Sequence, residues 1–187
     1  MGTKTLMTVE QFLELPPEQQ DGYELINGER VLREEMIGVA RTTFAHNWLR
    51  DTLVGEIRNF AKPRGLGIPS AEPWLQLTSN ETCFADGAFW DSAHVAQIDW
   101  RKGPIVVVPQ LAFEVASPSN SFPELLKKAR FYQQNGVHTV WVINDDPFEI
   151  HVFEGKDRFV VRPGENLQAP VVLPGFSLAA SELVPPE

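Results

Sequence analysis

The stretch Pro104–Asp146, PIVVVPQLAFEVASPSNSFPELLKKARFYQQNGVHTVWVINDD, constrains the fold more than any other part of the chain. Ile105–Val108 and Leu111–Ala116 are apolar and rich in β-branched residues, as in a strand buried on both faces. Ser117-Pro118-Ser119-Asn120-Ser121 breaks that run and offers helix-capping side chains. Glu124 to Asn135 has helical spacing and stops at Asn135-Gly136. Val137 to Ile143 is a second apolar strand. Strand, helix and strand in this order predict a crossover between parallel strands of an α/β sheet. Glu114 lies inside the first strand, where a charge is costly unless something pairs with it.

The flanking segments add smaller elements. Thr8 with Gln11 three residues on forms a capping-box pattern before Val9–Leu13, and Pro16-Pro17 ends that helix. Tyr23–Ile26, Asn27-Gly28 and Glu29–Leu32 predict a hairpin, because Asn-Gly suits a type I′ turn. Thr42 or Thr43 caps a long helix to about Ala61, with Leu49, Leu53, Ile57 and Phe60 on its core face. Leu66–Ile68 and Trp74–Leu77 read as short strands, and Phe84–Trp90 as a strand with Asp86 inside it. Asp91–Gly103 is polar and loop-like. Glu149–Phe153 and Arg158–Val161 predict a hairpin across Glu154–Asp157. At 187 residues, 43% of them hydrophobic, the chain can bury one core, so residues 1–187 are expected to form a single α/β domain with added β hairpins.

No apolar run is long enough to span a membrane. One cysteine, Cys83, rules out an intramolecular disulfide framework and fits a cytoplasmic protein, with a small buried hydrophobe as its plain role. A net charge of −9 argues against a general nucleic-acid coat protein. Arg41, Arg50, Arg58, Lys62 and Arg64 make residues 41–64 locally basic, either a phosphate-facing surface or a solvated helix face. No GxxxxGK[ST] or GxGxxG pattern is present, and His94, His138 and His151 lack zinc-ligand spacing.

Asp86 and Glu114 are the two carboxylates set within apolar strands. On neighbouring strands they can share one hard cation such as Mg²⁺, with the carbonyl of Val115 as a third oxygen; otherwise local hydrogen bonds or ion pairs satisfy them. A cation so held activates water and neutralises charge developing on a phosphodiester, chemistry that also wants a lysine nearby. Glu24 is either a further acid of such a site or a cross-strand partner for a basic residue. His46 is either functional or a hydrogen-bonded fixture of its helix, and Tyr132 with Phe131 reads as core.

The order of these residues resembles the PD-(D/E)XK nuclease superfamily. Nearly the whole chain is similar to its bacterial Uma2 group, named for restriction endonucleases. The similarity rests on the ordered set Tyr23–Glu29, His46, Asp86, Pro109–Ser119, Lys128 with Tyr132, Gly136-Val137, Trp141–Ile143 and Leu173–Phe176. The resemblance implies a restriction-endonuclease-like mixed sheet flanked by helices. It implies Mg²⁺- or Mn²⁺-dependent hydrolysis of nucleic acid, with DNA as the expected partner and a homodimer as the form that cuts both strands. Asp86 and Glu114 would act at the metal, Lys128 at water and phosphate, and Glu24 as helper. A non-catalytic nucleic-acid-binding or assembly protein of the same fold is the alternative. Three positions depart from the pattern: Ala85 replaces the proline of the motif, Ala116 replaces the lysine two residues after Glu114, and Glu124 stands where the group has Asp. Lys128, on the following helix, matches the place from which the Uma2 group supplies its lysine.

Overall fold

The computed structural model describes residues 6–32, 43–117 and 122–185. Its elements in chain order are α1 (Val9–Leu13), α2 (Pro17–Gln20), β1 (Tyr23–Ile26), β2 (Glu29–Leu32), α3 (Phe44–Ala61), β3 (Gly67–Ala71), β4 (Trp74–Thr78), β5 (Glu81–Phe84) and β6 (Gly87–Asp91). There follow α4 (Ser92–Val95), β7 (Leu111–Val115), α5 (Phe122–Gln134), β8 (Thr139–Asp145), β9 (Phe148–Glu154), β10 (Asp157–Val161), β11 (Asn166–Gln168) and β12 (Ser177–Ala179). Six strands form one mixed sheet in the order β10-β9-β8-β7-β6-β3, and β1-β2, β4-β5 and β11-β12 are separate two-stranded hairpins or ribbons. Among the described residues no helix is long and apolar enough to cross a membrane.

The centre of the sheet is the predicted strand–helix–strand unit. β7 and β8 run parallel, with Leu111 beside Thr139 and Glu114 beside Val142. Side chains alternate along β7, so Leu111, Phe113 and Val115 enter one core and Ala112 and Ala116 the other. The first core packs against Leu49, Leu53 and Ile57 of α3 and against the C-terminal Leu173 and Phe176. The second packs against Leu125, Ala129 and Tyr132 of α5. Helices therefore cover both faces, which is why the central strands read as continuous apolar runs. Burying both faces of β7 also fixes its register, since a slip of one residue would exchange the two sets.

Local sequence cues account for most boundaries. The Thr8–Gln11 capping box is present in full. Thr43 caps α3, its Oγ1 accepting the His46 N–H at 3.1 Å. Asn27 (φ 49°) and Gly28 (φ 79°) are both left-handed, as a type I′ turn requires. The hairpin across Glu154–Asp157 forms with Glu154 opposite Asp157. The expected capping by Ser119, Asn120 or Ser121 lies outside the described residues, as do Arg41 and Thr42.

Four expectations change. Pro17 does more than end α1: it opens the short α2 as its first residue. Ile105–Val108 is no part of the strand. Ile105 exchanges backbone hydrogen bonds with β4, its N–H going to Trp74 and its carbonyl receiving Gln76. The sheet strand starts only at Leu111, past Pro109, which has no N–H for a ladder. Phe84–Trp90 is two strands rather than one. Ala85 and Asp86 form a bend between β5 and β6, held from outside the segment: the Ala85 N–H donates to the Pro73 carbonyl and the Asp86 carbonyl accepts from the Glu72 N–H. The nominal loop 91–103 also contains α4, capped by Asp91 Oδ1 on the His94 N–H at 2.9 Å.

Gly87 opens β6 directly opposite Phe113 of β7. A Cβ there would stand 2.2 Å from the Phe113 ring, too close to fit without displacing it. Gly87→Ala is therefore expected to cost about 1–3 kcal/mol by overpacking, read as a lowered midpoint in urea unfolding. Pairing it with Phe113→Leu should recover part of the loss. A midpoint equal to wild type would show that the ring moves aside freely.

Candidate active site

The bend at Asp86 and the strand residue Glu114 meet where β6 and β7 run side by side. The antiparallel register places Gly87 opposite Phe113 and Ala88 opposite Ala112, so Asp86 extends it to the level of Glu114. Asp86 does not continue the backbone ladder. Its Oδ2 accepts the Val115 N–H at 2.7 Å, so the side chain takes the place of a backbone carbonyl. The same oxygen lies 3.2 Å from His46 Nε2. His46 shares the buried stripe of Leu49, Leu53 and Ile57 on α3 and stands at its N-terminal end.

Glu114 is met from the α5 side and is only 2% exposed. Its Oε1 lies 3.0 Å from Lys128 Nζ. The Tyr132 hydroxyl donates to that oxygen at 2.6 Å. Lys128 Nζ also donates to the Phe84 carbonyl at 2.8 Å, which ties the ammonium to the end of β5. Lys128 and Tyr132 are one helical turn apart and so address the same point. Lys127 is exposed, as its place opposite the Leu125, Ala129 and Tyr132 stripe predicts. Ala116 is buried in the core that contains Leu125 and Ala129 of α5. The helix thus approaches the strand where the superfamily's usual lysine would lie, and its own lysine reaches Glu114 instead.

Glu24 in β1 is 5% exposed. Its register neighbour across the hairpin is Val31. The carboxylate acts electrostatically on both Lys128 and Cys83, so Glu24 belongs to the same charged neighbourhood. Cys83 is buried in the second core. Burial pushes its thiol up to about 12, which keeps it protonated and unreactive at neutral pH. Arg50 of α3 binds Asp51 and Glu72 at 2.9 Å each, while Arg58, Lys62 and Arg64 are exposed. The basic stretch is thus partly neutralised near Asp86 and solvated further along.

The two carboxylates are driven apart in acidity. Burial alone would raise Asp86, but the His46 contact and the Val115 N–H outweigh it and hold the carboxyl below its ordinary value. Burial pushes Glu114 up to about 7, with the Asp86 charge adding to the shift and Lys128 and Tyr132 opposing it. Burial would depress Lys128, yet Glu114, Cys83, Glu24 and Asp86 together hold its ammonium above the ordinary lysine value. Burial keeps the Tyr132 hydroxyl protonated and therefore a donor.

These shifts make stability depend on pH in the protein without added metal. A carboxyl whose pKa is raised on folding holds its proton more firmly in the native state, so its contribution is greatest below the unfolded value of about 4.5 and is lost as pH rises to about 7. The loss is on the order of 3 kcal/mol. His46, raised from its ordinary value against the pull of burial by its Asp86 partner, acts in the same direction. Asp86, lowered, weakens the fold only on acidification below its ordinary range. In chelator the thermal midpoint should therefore fall between pH 5 and pH 7, and Glu114→Gln should flatten that slope. A midpoint that rises over this interval in the wild type would contradict the assignment.

Among the described residues no group of three or more His, Cys, Asp or Glu side chains is arranged to hold a metal ion. The donor set is instead two carboxylates at one level of the sheet beside the Val115 backbone. Burial is the main cause of the raised Glu114 and the Asp86 charge adds to it, a repulsion that a cation between them would relieve. This is a set of hard oxygen donors and fits Mg²⁺ or Mn²⁺. Sequence reading misses the hydroxyl of Tyr132 as a Glu114 partner and the Asp86 carboxylate as the partner of His46. The i, i+4 spacing of Lys128 and Tyr132 is the available cue to the first, and the shared buried stripe of α3 the cue to the second.

A mixed sheet with helices on both faces, and an interior β6–β7 pair whose end gathers carboxylates against a helix-borne lysine, defines a restriction-endonuclease-like α/β protein. The crystal structure of "a putative nuclease belonging to DUF820" from Anabaena variabilis superposes with a TM-score of 0.74 at 19% identity, covering 95% of this chain and 97% of that one. The family model Uma2, described as "Putative restriction endonuclease", matches residues 9–181. The chain belongs to the Uma2 family, within the PD-(D/E)XK-like nuclease superfamily. No curated protein matches it.

Proposed function

We propose that the protein is a divalent-metal-dependent endonuclease that hydrolyses phosphodiester bonds, with DNA as its substrate. The carrying observation is the Lys128 ammonium 3.0 Å from the Glu114 carboxylate, at the strand edge that also bears Asp86. Asp86, Glu114 and the Val115 carbonyl would hold the ion, which supplies Lewis acidity toward the phosphate and a more acidic bound water. The chain's own groups do the rest. Val115 N–H and His46 fix the Asp86 carboxylate in place and ionised. Tyr132 and Lys128 hold Glu114 from the α5 side, so that it can be charged despite its burial. Lys128 is the cation that can turn from Glu114 to a phosphate oxygen or to the attacking water, countering charge as the bond breaks. Glu24 adds a negative field that keeps the lysine protonated.

The second reading, a non-catalytic protein of the same fold, is favoured by the lysine's engagement with both Glu114 and the Phe84 carbonyl. Incubating purified protein with plasmid, linear and single-stranded DNA and with RNA, in Mg²⁺ or Mn²⁺, separates the two. Chelator-sensitive internal cleavage is the expected result. Intact substrates under every divalent condition would favour the second reading.

A further inference from the structure

Among the described residues two non-glycine residues have a left-handed backbone, Asn27 (φ 49°) and Glu72 (φ 45°). Asn27 belongs to an Asn-Gly turn, where that conformation is the rule. Glu72 has no such reason: its side chain disfavours this region, and such an outlier persists only where its surroundings hold it. Glu72 follows directly on β3, whose last residue Ala71 pairs with Gly87 of β6. Its N–H donates to the Asp86 carbonyl at 3.0 Å, and the next carbonyl, that of Pro73, accepts the Ala85 N–H at 3.3 Å. The turn after β3 is therefore the template on which the Asp86 bend is folded.

The Glu72 side chain is also tied to α3. Arg50 Nη1 donates to Glu72 Oε1 at 2.9 Å, and Arg50 Nε donates to Asp51 Oδ1 at 2.9 Å. The guanidinium is a planar fork, so two donors engaged at once fix its orientation. The Arg50 side chain is 15% exposed, whereas those of Glu72 and Asp51 are 53% and 63% exposed. Ion pairs with such exposed acids add little to global stability. What this one holds is a position. Arg50 stands one turn after His46, whose Nε2 meets Asp86 Oδ2 at 3.2 Å. α3 thus grips the aspartate twice: His46 holds its carboxylate directly, and Arg50 holds its backbone through Glu72.

We propose that Arg50 is a positioning residue, a latch that acts through Glu72 to hold the Asp86 bend, so that the Asp86 carboxylate leaves the strand ladder and accepts the Val115 N–H. The inference rests on the nuclease reading for its effect on cleavage, while the hydrogen bonds stand without it. Asp86 Oδ2 receives the Val115 N–H at 2.7 Å, where an unbroken β6 would offer a backbone carbonyl. Freed of the latch, residues 85 and 86 relax toward that unbroken strand and carry the carboxylate with them. A displacement of about 1 Å in a positioned group is enough to cost roughly 10²-fold in rate.

Hydrogen exchange of single backbone amides, followed by NMR on the full-length protein in chelator, tests the latch without metal or substrate. The Val115 N–H reports the Asp86 contact. The Ala116 N–H, which donates to the Ile143 carbonyl on the other side of β7, reports the sheet itself. Arg50→Met and Glu72→Gly should each speed Val115 exchange roughly ten-fold or more while leaving Ala116 near wild type. Glycine also relieves the left-handed backbone, so Glu72→Gly should keep its urea midpoint while losing Val115 protection, a split that a merely structural pair would not give. Glu72→Gln, which keeps an oxygen for Arg50, should retain the protection, and Asp51→Ala should leave it intact. Cleavage in Mg²⁺ should fall roughly 10- to 10²-fold in Arg50→Met and Glu72→Gly. Unchanged Val115 exchange in those two variants would overturn the latch, and so would an equal rise at Val115 and Ala116. A selective rise at Val115 in a protein whose wild type never cleaves would keep the latch and reject the nuclease reading.

Discussion

Lys128→Ala should lower cleavage roughly 10²- to 10³-fold, the usual loss when one preorganised stabiliser of transition-state charge is removed. Lys127→Ala should stay within a few-fold of wild type. The two side chains are neighbours in sequence and equal in charge, so any effect of net charge or helix propensity is shared. Only placement separates them: Lys127 is exposed, whereas Lys128 Nζ sits 3.0 Å from Glu114 and 2.8 Å from the Phe84 carbonyl. The proposal places the lysine on water and phosphate rather than on the ion, so Lys128→Ala should retain divalent-ion binding. Its fold should weaken, since a buried Glu114 is left without its cation. Equal activity losses in the two variants would reject the assignment of the lysine to α5.

On the proposed mechanism, Glu114→Gln should reduce turnover by on the order of 10³-fold, because it removes the charge proposed to bind the ion. Read from sequence alone, this carboxylate is a charge in an apolar strand, costly unless something pairs with it. The structure supplies the partners. Glu114 accepts from Tyr132 and is paired with Lys128, so the glutamine strands a cation that is itself largely enclosed. Breaking a buried pair costs about 3–5 kcal/mol. Here the cost should be smaller, because Lys128 keeps the Phe84 carbonyl and the side chain is 30% exposed. Circular dichroism should report a native spectrum with a modestly lower midpoint above pH 7. A variant that cleaves at the wild-type rate would reduce Glu114 to a structural role.

What the sequence reveals divides by range. The capping box at Thr8, the Asn27-Gly28 turn and the 154–157 hairpin depend on residues within a few positions of one another, and each forms as read. The two-sided burial of β7 is legible because a continuous apolar run has few other uses. The bend at Asp86 is not, because it is made by Glu72 and Pro73 from a different turn. An apolar flank on each side of the aspartate imitates an unbroken strand. Ile105–Val108 misleads for a similar reason: their β-branched composition suits extended chain, yet Ile105 bonds to β4 and Val106 is 65% exposed. At the site, the residue types are visible and their partners are not. Tyr132 has the hydrophobicity of a core residue and is one, with 0% exposure. Its hydroxyl nevertheless ends on Glu114 because a buried O–H needs an acceptor.

The central claim is that Asp86 and Glu114 share one divalent ion, and calorimetric titration of Mn²⁺ and Mg²⁺ into wild type, Asp86→Asn, Glu114→Gln and Lys128→Ala tests it most directly. The account predicts one ion bound by the wild type and by Lys128→Ala at pH 8, with binding lost in both carboxylate variants. Undiminished affinity in Asp86→Asn and Glu114→Gln would contradict it.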